Sequence, residues 1–201
     1  MRPITIIFLL TIITAVIFLV SQPRKRPSLG SDFWNSQEKS AIDLAKSFSY
    51  SGEVDRLVEM LSLSHDEVSH ASSLRMYAAG TGIPILYHKH QISRQDTEEV
   101  INALLEALDD APWEVLHTIM ALHIGGHLGS MEEKVVEQLL DLIKEESFSS
   151  NEKILAKVCE ALGLIGNIEA LDTLLKVQEN VSNPYVKNVV ALALSRMGYD
   201  L

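Results

Sequence analysis

Two stretches of the chain have the same outline, and this repetition constrains the fold more than any other feature. With Gly166 set over Gly198, Ala161-Leu162 falls on Ala193-Leu194, Val158 on Val190 and Ile154 on Val186, an offset of 32 residues. Moving 40 residues upstream puts Gly126 on Gly166 and Ala121-Leu122 on Ala161-Leu162, and Pro112-Trp113 then stands where Pro184-Tyr185 stands in the last copy. A period in this range marks an array of helix pairs, each burying its apolar face against its neighbours.

The rest of the chain fits helices around that frame. A helix over 36–49 carries Ala41, Ile42, Leu44, Ala45 and Phe48 on one face and ends at Ser51-Gly52. A second helix runs from Glu53, with Val54, Leu57 and Leu61 repeating Ile168, Leu171 and Leu175. Ser64 with Glu67 reads as a capping box opening a helix that ends at Gly80, and Asp96 with Glu99 and Ser130 with Glu133 read as two more. Those last two open the stripes Val100, Ile101, Leu104, Leu105, Leu108 and Val135, Val136, Leu139, Leu140, Ile143. Between them Pro112 suits a first helical turn, and Gly125-Gly126 closes that helix. Residues 81–95 stand out as an insertion, either a loop tucking Ile85 and Leu86 against the array or a recognition loop presenting Tyr87, His88 and His90. No alternation of period two competes, so the fold class is all-α.

The N-terminus has its own character. Residues 4–20 are uncharged and apolar apart from three threonines, and as a helix they would cover about 25 Å, the short end of what crosses a hydrocarbon core. No signal-peptidase site follows them, so the sequence predicts a single-pass anchor with a basic linker over 1–30 and a helical domain over 31–201. Arg24, Lys25 and Arg26 outweigh Arg2 and favour a cytoplasmic domain, with export as the alternative. A formal net charge of −10, with the main basic cluster beside the apolar run, argues against a nucleic-acid partner. Cys159 is the only cysteine, so no intrachain disulfide exists, and its place on a helix beside Val158 predicts a buried thiol.

The run Glu160-Ala-Leu-Gly-Leu-Ile-Gly-Asn-Ile-Glu-Ala-Leu-Asp-Thr-Leu-Leu175 resembles HEAT repeats, in particular the short bacterial type also found in phycobilisome lyase subunits. The resemblance is strong over 112–198, fair over 51–63 and poor over 64–95. It implies an α-solenoid of about four and a half HEAT-like helix pairs and a non-catalytic scaffold that holds another protein. A membrane-attached enzyme or lyase subunit of the HEAT-like lyase type is the alternative from another class.

Candidate chemistry is sparse. His123 and His127 have the four-residue spacing of two metal ligands on a helix, but Gly125-Gly126 lies between them and no carboxylate completes a site. HEAT-like diiron hydroxylases carry His-Glu dipeptides, and none of the seven histidines here is followed by Glu. There is no nucleophile elbow, P-loop or dinucleotide fingerprint, so no enzyme activity, cofactor or metal is expected. Glu98, Glu99, Glu106, Asp109 and Asp110, then Glu132, Glu133, Glu137, Asp141, Glu145 and Glu146, form a ridge that is either a solvated face or an attractor for a basic partner. The chain stops after a lone helix from Pro184 to Met197, so Val186, Val189, Val190 and Met197 are expected to leave an apolar end open to a partner or a second copy.

Overall fold

The computed structural model describes residues 28–35, 40–66, 68–145 and 150–199, and no strand occurs among them. The helices are α1 (Gly30–Asn35), α2 (Ala41–Ser51), α3 (Val54–Leu61), α4 (Ala71–Tyr77), α5 (Ile83–Lys89), α6 (Arg94–Glu106), α7 (Pro112–Ile124), α8 (Glu132–Lys144), α9 (Glu152–Ile165), α10 (Leu171–Asn180) and α11 (Pro184–Arg196). A π-helical turn, Ala78–Gly82, joins α4 to α5, and short 3-10 turns, Gly129–Met131 and Ile168–Ala170, lead into α8 and α10.

Helices pack on those one or two places along the chain. The 71–89 helix lies against α2 and α7, α7 against α9, and α9 against α11. On the other side α3 packs on α6, and α8 on the turn before α10. Lys134 of α8 and Asn102 of α6 are bonded at 2.8 Å, and Arg94 donates to Ser130 at 3.0 Å, so these two helices also meet. The apolar stripes read from the sequence are the core: Val100, Ile101, Leu104, Val135, Val136 and Leu139 are fully buried, which is what an amphipathic helix of period 3.6 achieves by turning one face inward.

Glycines end the helices where a left-handed residue is needed. Gly52, Gly126, Gly166 and Gly198 all have φ between 69° and 81°, a region that costs a glycine nothing. Gly80, the expected end of the helix from Ser64, has no such φ, and the helix runs on through it. The capping boxes are placed differently from the expectation. The helix expected from Ser64 begins at Ala71, α6 is capped by Ser93 accepting from the Asp96 amide at 3.1 Å, and Ser130 bonds Arg94 instead of capping α8. A serine or aspartate three residues before a carboxylate is common on any polar surface, and tertiary partners compete for its side chain.

The insertion 81–95 is not a loop. Pro84 at an internal helical position would drive its ring into the Gly80 carbonyl and cannot donate a hydrogen bond. The π turn answers both problems by widening the helix just before it. The Ile83 amide bonds back to Ala78 O, so the next carbonyl in that pattern, Ala79, would need an N–H from Pro84 and has none. Buried Thr118 of α7 supplies it, donating from Oγ1 to Ala79 O at 2.8 Å. Thr118→Val should therefore leave a buried carbonyl unpaired and lower unfolding stability by about 1–3 kcal/mol. In a Pro84→Ala background, where residue 84 regains its N–H, denaturant titration should show a smaller penalty for the same change.

One expectation is overturned. Among the described residues no helix is long and apolar enough to cross a membrane, because each helix of the domain carries a polar face. The run 4–20, the expected anchor, lies outside the described residues. The single-pass membrane assignment, and the cytoplasmic placement built on it, do not stand.

Candidate interaction face

The contact between α9 and α11 orients both helices. A Cβ on Gly163 would lie 2.3 Å from Ala193 Cβ and 2.4 Å from Ala193 Cα, so the two backbones touch at this point. Shifted by the 32-residue period, the α9 positions on the Gly163 side, Ala156, Cys159 and Gly163, correspond to Asn188, Ala191 and Ser195 of α11. The first three are buried, whereas Asn188 and Ser195 are exposed and Ala191 is half-buried. The α11 side equivalent to the buried side of α9 thus carries polar and small residues.

Val186 and Val190 are fully buried and only Val189 and Met197 are half-exposed, because α11 turns that side inward against α9 and α10. The accessible apolar side chains of α11 are instead Tyr185 (57% exposed) and Leu192 (52%), on the same flank as Val189 and Arg196. The period equates this flank with Lys153, Lys157, Glu160 and Leu164 on α9, and the 40-residue shift with Trp113, His117 and Ile124 on α7. Trp113 is 42% exposed and Ile124 73%. Lys157 Nζ stands 4.8 Å from the Trp113 ring and 2.7 Å from Glu160, so the α7 and α9 flanks adjoin. Pro112 starts the helix, and the His117 ring lies edge-on to the indole at 5.0 Å. Trp113 and Tyr185 are large amphipathic side chains exposed on their helices, and the equivalent positions of α9 between them carry Lys153, Lys157 and Glu160.

No family model, curated protein or solved structure matches the chain.

The three other expected contact residues do not gather into one site. His88 is exposed near the end of α5. His90 is half-buried, its Nε2 2.9 Å from Ser49 O and its ring packed over Gly52, which ties the end of α5 to the end of α2. Tyr87 is half-buried with its ring 4.8 Å from that of His127, and burial pushes its phenol above the ordinary range. His127 therefore faces Tyr87, while His123 Nδ1 lies 3.4 Å from Glu132. The two histidines serve different contacts. Cys159 is fully buried, and desolvation pushes its thiol up to about 12, so it packs as a small apolar group.

Two clusters come together that sequence spacing does not show. Ser72 Oγ lies 2.8 Å from His65 Nε2, and Asp110 Oδ1 lies 3.5 Å from the same nitrogen. A catalytic relay needs hydroxyl and carboxylate on opposite imidazole nitrogens, and here both meet one. Asp110 is also ion-paired to Arg75, whose guanidinium bonds Leu63 O, so the group clasps the 62–66 loop to the turn before α7. On α8, Glu133, Glu137 and Asp141 line an open cleft of about 660 Å³ with Glu169. The same cleft holds Lys134, bonded to Asn102, and Lys144, bonded to Asp141. The expected acidic ridge is therefore partly neutralised, and Glu146 lies outside the described residues.

Proposed function

We propose that the chain is a non-catalytic scaffold, a HEAT-like α-solenoid that binds another protein on the outer flank of α7, α9 and α11. The observation that carries the reading is the exposure of Trp113, Ile124, Tyr185 and Leu192 at positions that the repeat alignment equates on α7 and α11, the two helices packed against α9. Scattered exposed apolar residues need no explanation, but four large ones at equivalent positions of the two helices that flank α9 do. The fitting partner is a segment with apolar side chains to lie between Trp113 and Tyr185 and with carboxylates to meet Lys153 and Arg196. Side chains this exposed add little to the packing of their helices, so binding explains them better than folding.

Trp113→Ala and Tyr185→Ala test this. Each truncation of an anchor should weaken the partner complex by about 2 kcal/mol, some thirtyfold in Kd, with helicity and melting temperature near those of the parent. Glu133→Lys with Glu137→Lys, on the α8 cleft, should leave affinity within about threefold. The reverse pattern would move the binding site to α8 and make the partner a basic one.

A further inference from the structure

We infer that residues 28–35 form a strap that leaves the helix row as a unit while the row stays folded, with Glu59 as its latch. This inference is independent of the binding face. The segment enters through Gly30 at φ 74° and makes a helix of only six residues, too short to hold itself together. Its polar anchors on α3 converge on one carboxylate oxygen, while Leu29, Phe33 and Trp34 pack against the core. Glu59 Oε1 accepts from Ser28 Oγ at 2.7 Å, from the Leu29 amide at 2.7 Å and from Trp34 Nε1 at 3.1 Å. Oε2 accepts from Arg56 at 2.9 Å, which keeps the carboxylate anchored to α3 when the strap is absent. Burial alone would raise the Glu59 carboxyl, but these four bonds outweigh it and hold the group below its ordinary value, so it is charged and accepting near neutrality.

Trp34 is the plug. Its ring is fully buried and packs edge-on against Phe33 at 5.1 Å and Phe48 of α2 at 6.2 Å. Asn35 Oδ1 adds a long 3.4 Å contact to the Ser69 amide. Because hydroxyl, amide and indole donors share a single acceptor, losing that acceptor loosens all three together, and the indole seat beside Phe48 opens in one step. Short segments docked on a folded surface are among those that open below the global unfolding free energy.

Hydrogen exchange read by mass spectrometry on the full chain tests the device. In the parent, residues 28–35 should exchange about tenfold or more faster than the buried amides of α2 and α3. Glu59→Ala should raise that rate by about another tenfold without changing exchange in α9. Trp34→Phe keeps a ring and removes the indole N–H, so it should give a smaller increase in the same segment. In a Trp113→Phe background, where Trp34 is the remaining indole, acrylamide quenching should increase with Glu59→Ala while far-ultraviolet circular dichroism is unchanged. Exchange of 28–35 in step with α2 and α3, or global loss of helicity in Glu59→Ala, overturns the inference, since either means that strap and row are one cooperative unit. Unchanged exchange in both variants overturns the role of Glu59.

Discussion

Leu162→Asp is expected to abolish the folded state of the C-terminal helices at 25 °C. The side chain is fully buried in α9, and its equivalents one period away, Leu122 and Leu194, are at most 2% exposed. The change removes the packing of a core leucine, which costs about 2–5 kcal/mol, and puts a carboxylate where no partner stands. The acid would have to be buried charged, or buried protonated with its hydrogen bonds unmade, or carried to water by unpacking α9; each adds several kcal/mol. Against a typical total of about 5–15 kcal/mol, the sum leaves little cooperative structure. Urea titration followed by far-ultraviolet circular dichroism measures it. Leu192→Asp is the matched comparison, the same chemistry on an exposed site of α11, and it should change stability by less than about 1 kcal/mol.

Gly163→Ala should destabilise as well, and the sign is informative. On an isolated helix this change stabilises by about 1 kcal/mol, because alanine is the better helix former. Here the added methyl would sit 2.4 Å from the Cα of Ala193, and no side-chain rotation can relieve a clash with backbone. The helices α9 and α11 must move apart, and the fully buried Val158, Leu162, Val190 and Leu194 lose packing with them. A net loss of about 2–4 kcal/mol is expected, in line with overpacked cores. Ala193→Gly in the same chain takes away the opposing methyl but leaves the backbone of α11 where it is, so recovery in thermal melts should be partial. A melting temperature equal to or above the parent's would mean that the two helices do not meet at Gly163.

The helical class, the glycine stops and the core stripes were legible because each follows from a local rule: a period of 3.6, or a left-handed φ that glycine tolerates. Gly52, Gly126, Gly166 and Gly198 all took that role. The 71–89 helix was not legible, since Gly80 looked like another stop and Pro84 like a break, while the carbonyl they strand is satisfied by Thr118, 39 residues away in sequence. The docking of α1 was hidden for the same reason: the acceptor of its Ser28, Leu29 and Trp34 donors is Glu59, on another helix. On α11, periodicity picked out Val186 and Val190, which are buried, and passed over Tyr185 and Leu192, which are exposed. Val186 and Val190 are the apolar positions a pattern selects, and a pattern selects them because they pack inward. Ala121, aligned with the buried Ala161 and Ala193, is exposed, so even the repeat transfers burial imperfectly.

Trp113, Tyr185, Lys153 and Arg196 lie on α7, α9 and α11, whereas Glu133, Glu137 and Asp141 lie beside Lys134 and Lys144 on α8. A partner that distinguishes the two groups can be located directly. The decisive measurement is the yield of adducts from the full chain carrying a photo-crosslinking phenylalanine analogue, placed in turn at position 113, 185, 192 or 137. A scaffold that binds through the α7, α9 and α11 flank gives one shared protein adduct from 113, 185 and 192, and none from 137. An adduct confined to 137, or none from the three flank positions while the partner co-purifies, would contradict it.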